Sequence, residues 1–183
     1  VDSLVEPLIE NNDVVALVIG VVRNGEQQVF TYGSPIPNGT EPPHRRTIFE
    51  IGSITKTFTG LLLAQLVEEG TVQLDDPISK YLPAGTPTPR WGQDEIRLID
   101  LATHTSDLPK MPANLVSRDV SNLYADYSSG QLLEYLKYEA RGTVGRSFIS
   151  AFTPAKRPSY EYSNVGIGLL GYLLSQAANK PYE

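Results

Sequence analysis

The chain has no cysteine among its 183 residues, which excludes disulfides, thiolate metal ligands and a cysteine nucleophile. Histidine is almost as scarce. His44 and His104 are the only two, and neither has a second ligand at the spacing a metal site requires. His104 reads as a residue that holds its turn by hydrogen bonds rather than as a base. Long apolar runs are also missing; the longest, Val14 to Val22, is too short to cross a bilayer. Positive charge is in the minority. The formal net charge is −6, so neither nucleic acid nor an anionic membrane surface is implied as a partner. The tyrosines lack basic interleaving and form no base-stacking platform. Asp75-Asp76 lacks the further carboxylates of a calcium loop and reads as a turn before Pro77. No secretory leader is visible, and Val1 in place of methionine reads as a processed or trimmed start.

What is there begins with alternating local signals. Leu4, Val5, Leu8 and Ile9 recur at helical spacing before Asn11-Asn12-Asp13. The β-branched run Val14 to Val22 predicts a buried strand, Asn24-Gly25 a tight hairpin turn, and Gln28 to Tyr32 the returning strand. Residues 33 to 47, with four prolines and two glycines, predict a loop. A helix is expected from about Ser53 to Glu69, ending at Gly70. Leu61, Leu62, Leu63, Leu66 and Val67 make it apolar over much of its circumference, as a buried central helix would be. Residues 83 to 94 and 105 to 128 read as irregular, Gln131 to Tyr138 as a short helix, and a further helix starts near Val165.

Two motifs carry chemistry. Ser53 and Lys56 stand three apart, on one face of the predicted helix. A neutral amine one turn away can take the serine proton, provided that burial or a neighbouring cation lowers its pKa. Phe49, Ile51, Ile54 and Phe58 are the apolar neighbours expected to supply that burial. The pair also fits a plain N-cap with a solvated lysine. Against this, a capping box wants Glu or Gln in place of Lys56, and a cation in the first turn opposes the helix dipole. Downstream, Tyr162 and Asn164 alternate in Tyr160-Glu161-Tyr162-Ser163-Asn164 and so face one way in an extended segment. A phenol can relay a proton and an amide can hold a substrate carbonyl. The plainer alternative makes this a surface turn with Asn164 as the N-cap of the next helix. The surroundings of Ser53 do not match the Gly-x-Ser-x-Gly of other serine hydrolases, since Ile51 and Thr55 occupy the glycine positions.

Taken in order, four segments resemble the serine β-lactamase and penicillin-binding-protein superfamily, in its class C-like branch. They are Phe49-Glu50-Ile51-Gly52-Ser53-Ile54-Thr55-Lys56, Leu74-Asp75-Asp76-Pro77-Ile78, Leu101-Ala102-Thr103-His104-Thr105-Ser106, and Tyr162-Ser163-Asn164 with its glycine- and leucine-rich sequel. Asp107 stands where the family usually has glycine and reads as a tolerated turn variant. The family's third motif, on a strand beside the nucleophile, has no counterpart. Lys180 instead reads as part of the turn ending the last helix.

The resemblance implies an α+β, β-lactamase-like fold in which a mostly helical region, residues 49–183, packs beside an antiparallel sheet. Residues 1–48 supply the first helix and first two strands of that sheet. A two-stranded sheet is marginal alone, so the chain reads as the N-terminal portion of a longer protein, with the missing C-terminal segment or a second chain completing the sheet. The implied activity is a serine hydrolase forming an acyl-enzyme on an amide, lactam or ester, from a small-molecule or peptide substrate. Its implied catalytic residues are Ser53 as nucleophile, Lys56 as base and Tyr162 as proton relay. Asn164 holds the substrate, the Ser53 N–H gives half of the oxyanion hole, and no metal or organic cofactor is called for. The other half of that hole lies in the missing part, so this portion alone is expected not to turn over. The competing reading is a penicillin-recognising sensor, or a non-catalytic homologue that binds or acylates without turnover. A periplasmic or secreted location fits better than a cytoplasmic one.

Overall fold

A computed structural model describes residues 1–91, 93–119, 121–140 and 160–182. They fall into two compact units, Val1–Ile51 and Gly52–Glu183. In the first, helix α1 (Asp2–Glu10) precedes strands β1 (Ala16–Arg23) and β2 (Glu26–Gly33). The strands pair antiparallel from Ala16 opposite Gly33 to Arg23 opposite Glu26. Asn24 and Gly25 both have positive φ, 54° and 82°, as the tight turn that matches strand twist requires.

Two expectations change here. Pairing begins at Ala16 rather than Val14, and the strand is not buried: Val18, Val21 and Val22 are exposed, Val22 to 70%. β-branched residues make the strand by fitting a pleated ladder, whereas burial needs a layer on each face. Within this unit α1 packs against β2. Residues 34–51 hold no helix or strand, as their prolines predict.

The second unit opens with a 3-10 turn, Gly52–Ile54, that runs into α2 (Thr55–Glu68). A second 3-10 turn (Ile78–Lys80), a two-residue-by-two-residue hairpin of β3 (Arg90–Trp91) and β4 (Asp94–Glu95), α3 (Leu98–Ala102), α4 (Ser129–Ala140) and α5 (Asn164–Ala178) follow. The hairpin falls in the stretch expected to be irregular. The buried central helix is α5, not α2. Leu169, Leu170, Leu173 and Leu174 of α5 are fully buried, and with Leu98, Leu101, Leu108, Tyr135 and Leu136 they form the core. In α2 only Thr59, Leu63 and Leu66 are buried, while Phe58 and Leu61 are 58% and 65% exposed. An apolar circumference leaves the facing direction undetermined; contact with α5 along one side decides it.

The link from α2 to α3 is held by carboxylates. Asp76, 9% exposed, accepts from the Gln73 N–H, Lys80 Nζ and Tyr81 OH. Burial alone would raise its pKa, but these hydrogen bonds and the Lys80 charge outweigh it and hold the group below the ordinary carboxylate value. The backbone then ties Leu98 N to Asp76 O and Ile78 N to Ile96 O. Asp100 closes α3's first turn through the Arg97 N–H and guanidinium. Asp75-Asp76 is therefore the turn its sequence predicts, and it anchors the unit.

Candidate active site

Gly52 places Ser53. Its φ is +52°, and a Cβ built there would meet nothing within 4 Å. The requirement for glycine is thus the left-handed backbone, not space. That kink turns the chain into the 3-10 turn, with Ser53 in its middle and α2 starting two residues on. Ser53 is not a side-chain cap: the N-cap position is Ile54, with no side-chain cap hydrogen bond. Its hydroxyl is left exposed at the positive end of α2.

Lys56 is half-buried, and its Nζ donates to Ser53 Oγ at 3.2 Å. Two of the neighbours expected to supply that burial, Ile54 and Phe58, are themselves exposed. The partner that closes over the amine is Tyr162, whose ring centroid lies 5.0 Å from Nζ. The Tyr162 hydroxyl donates to Ser53 Oγ at 2.7 Å, across 109 positions of sequence. Hydrogen bonding to Lys56, then to Ser53, together with the charges of Lys56 and Lys110, holds the phenol below its ordinary value of 10.0.

The turn after α3 aims Tyr162. His104 and Asp107 adopt φ of 58° and 59°, the conformation anticipated for Asp107. His104 O accepts from the Glu161 N–H at 2.8 Å, and His104 Nδ1 from the Ser163 N–H at 3.1 Å. The imidazole lies 4.7 Å from the Tyr162 ring at a 33° tilt. Burial, and then the Lys56 charge, lowers its pKa, which favours the neutral form that can accept at Nδ1. His104 thus holds its turn, as its sequence setting suggests.

Ser163, a residue the sequence reading passed over, is fully buried. Its Oγ donates to Pro109 O and accepts from the Gly166 N–H, both at 2.8 Å, so it is the N-cap of α5. The alternative reading of Asn164 as that cap is corrected: Asn164 is the first helical residue, and its side chain is free to face a cavity. Serine and asparagine are both good N-caps, so the residue types alone did not select between Ser163 and Asn164.

Asn164 Nδ2 donates to Tyr124 OH at 3.3 Å and lies 3.7 Å from Met111 Sδ. Its Oδ1 is buried without a hydrogen-bond partner among the described residues. Ser53, Lys56 and Asn164 line one cavity of about 660 Å³ between α2 and α5, with a largely apolar wall. The structure therefore brings Ser53, Lys56 and Tyr162 into direct contact and sets Asn164 beside the same cavity. Tyr124 and Met111 had no sequence signal, because only the fold carries their irregular segment to this place. Among the described residues no three His, Asp or Glu side chains converge on a metal-sized point, and no helix is long and apolar enough to cross a membrane.

Comparison with known proteins identifies the family of the chain. A beta-lactamase of Pseudomonas fluorescens is 33% identical over 183 residues, covering 100% of this chain and 45% of that protein. A D-alanyl-D-alanine-carboxypeptidase/endopeptidase, AmpH of Escherichia coli K12, is 34% identical over 164 residues, 88% of this chain and 39% of that protein. The chain thus spans less than half the length of these relatives. Among solved structures, a beta-lactamase/D-alanine carboxypeptidase of Yersinia pestis complexed with citrate superposes with a TM-score of 0.77 at 28% identity, covering 99% of this chain and 49% of that one. A class C beta-lactamase of Rhodobacter sphaeroides gives 0.67 at 30% identity, over 98% and 44%. The α+β, β-lactamase-like fold is shared with both. The beta-lactamase family model matches residues 1–183 throughout, and the chain belongs to the beta-lactamase family.

Proposed function

We propose that the protein is a serine hydrolase that cleaves an amide, lactam or ester through an acyl-enzyme on Ser53. The observation that carries this is the convergence on Ser53 Oγ of Lys56 Nζ at 3.2 Å and Tyr162 OH at 2.7 Å. Both groups donate to the same oxygen, so one of them must be deprotonated before Ser53 can react. The depressed phenol pKa favours a form in which Tyr162 gives up its proton more readily than a free tyrosine.

In this form the Lys56–Tyr162 pair takes the Ser53 proton as Oγ attacks the carbonyl carbon. The carbonyl oxygen gains negative charge near the start of α2, where the Ser53 N–H and the helix dipole stabilise it. Collapse breaks the bond to the leaving group, which receives the proton from Tyr162. A water then attacks the ester carbonyl, and the pair accepts its proton and returns one to Ser53. Asn164 holds the acyl side of the substrate against the cavity wall. The relatives' names make β-lactams and D-alanyl peptides the first substrates to try.

The test uses the complete protein with a chromogenic lactam and a chromogenic ester. Turnover is expected, with a mass increment on the peptide carrying Ser53, and Ser53→Ala removes both. An adduct lasting for hours indicates acylation without turnover. Full hydrolysis by Ser53→Ala refutes the reading.

A further inference from the structure

Tyr124 lies in the irregular stretch before α4 and is 44% exposed. Its hydroxyl nevertheless has two partners, donating to Met111 Sδ at 2.9 Å and accepting from Asn164 Nδ2 at 3.3 Å. These bonds hold the ring where two cavities meet. One is the 660 Å³ space with Ser53 and Lys56. The other, of about 270 Å³, is walled by Pro112, Tyr127, Leu132 and Val165 and has no charged residue in its lining. Tyr124, Asn164, Gly168 and Tyr172 border both. A cavity of about 150 Å³ already takes a benzene ring, so the second space is large enough for one. On the α5 side the passage is open, because a Cβ at Gly168 would meet nothing within 4 Å.

The geometry points to Tyr124 as a specificity-determining residue: its ring partitions the nucleophile's cavity from an apolar side cavity and so limits the apolar acyl group the site takes. The inference rests on the acyl-transfer reading above. An acetyl group on Ser53 is short and makes no demand on the side cavity. A longer acyl group tipped with a ring enters the side cavity only by displacing Tyr124. Displacing it breaks the bond to Asn164 Nδ2, and Asn164 Oδ1 already has no partner among the described residues. Selection is therefore coupled to the residue proposed to hold the acyl side.

The experiment compares kcat/KM for p-nitrophenyl acetate, hexanoate and 3-phenylpropanoate on the complete protein. Tyr124→Ala joins the two cavities and is expected to raise the 3-phenylpropanoate to acetate ratio about tenfold, the low end of what one pocket contact discriminates. Tyr124→Phe keeps the ring but cuts its tether, and moves the ratio the same way by about twofold to threefold. Gly168→Leu fills the passage from α5 and lowers the ratio about tenfold; leucine is a better helix former than glycine, so folding is not put at risk. A structural role alone would lower all three esters together and leave the ratios unchanged. Ratios within twofold of wild type in both Tyr124→Ala and Gly168→Leu overturn the proposal. Ser53→Ala separates the two readings: if it retains hydrolysis, acyl transfer at Ser53 is wrong whatever the ratios show. In that event binding of 3-phenylpropanamide, followed by saturation-transfer NMR, decides the partition. Tighter binding to Tyr124→Ala and weaker binding to Gly168→Leu support it, and equal binding overturns it.

Discussion

At the residue scale the chemistry depends on which protons can leave. Lys56 is replaceable by arginine in charge but not in function. Arginine stays protonated at any practical pH and cannot share in taking the Ser53 proton. Lys56→Arg is therefore expected to slow acylation by roughly a hundredfold to ten-thousandfold, the usual contribution of a positioned base, as measured by stopped-flow release of a chromogenic leaving group. A rate near wild type would make the lysine structural only. The depressed Tyr162 pKa sets a pH dependence with a definite sign. The reactive form has lost the Tyr162 proton, so acylation rises with pH, and the limb lies below the 10.0 of an ordinary phenol. Lys56→Gln removes the largest cause of the shift. Its limb should move to higher pH, while Lys110→Gln, which removes only a weaker charge, should move it less. A limb unmoved by Lys56→Gln would mean that the phenol does not titrate in the rate.

At the scale of elements, the beginning of α5 is the joint on which the site turns. Ser163 caps that helix, ties it to Pro109 and fixes the extended residues that carry Tyr162. Ser163→Ala is expected to lower stability by about 1–2 kcal/mol, through the lost cap and the stranded Pro109 carbonyl. The urea midpoint reads that loss. The Tyr162–Ser53 contact should loosen with it, so acylation by the folded variant should fall as well. A variant with an unchanged midpoint would deny the cap its role. The sequence held the Ser-x-x-Lys and Tyr-x-Asn elements in legible form, since i and i+3 must share a helical face whatever the rest of the chain does. It did not disclose the cap, because Ser163 and Asn164 are both good capping residues and only the backbone at the join selects between them.

For the whole molecule, the two units differ in how their apolar residues are covered. The second has a core in which Leu169, Leu170, Leu173 and Leu174 of α5 meet α3 and α4 residues with no exposed surface. The first has a two-stranded ladder with Val22 and Val29 mostly in solvent. Two strands alone are marginally stable, and local opening is cheapest where few apolar contacts are lost. Native-state hydrogen exchange of this 183-residue chain should therefore protect the amides of α5 well above those of β1 and β2. Equal protection in both would show a cooperativity that the burial pattern does not account for.

Much of the local structure follows from the sequence by itself. The Asn24-Gly25 turn, the pairing of β1 with β2 and the stop at Gly70 come from backbone preferences that act within a few residues, and the first helix from the spacing of Leu4, Val5, Leu8 and Ile9. So does the one-turn spacing of Ser53 and Lys56, and the order of motifs along the chain carries the family. Tertiary structure alone decided that α5 rather than α2 is the buried helix, that Val18, Val21 and Val22 are exposed, and that Tyr162 rather than Ile54 or Phe58 closes over Lys56. It alone brought Tyr124 and Met111 onto Asn164. The reason is the same each time. Period and propensity state that a side chain is apolar or can bond, but not which distant surface meets it, and that choice is made by packing between segments more than 100 positions apart.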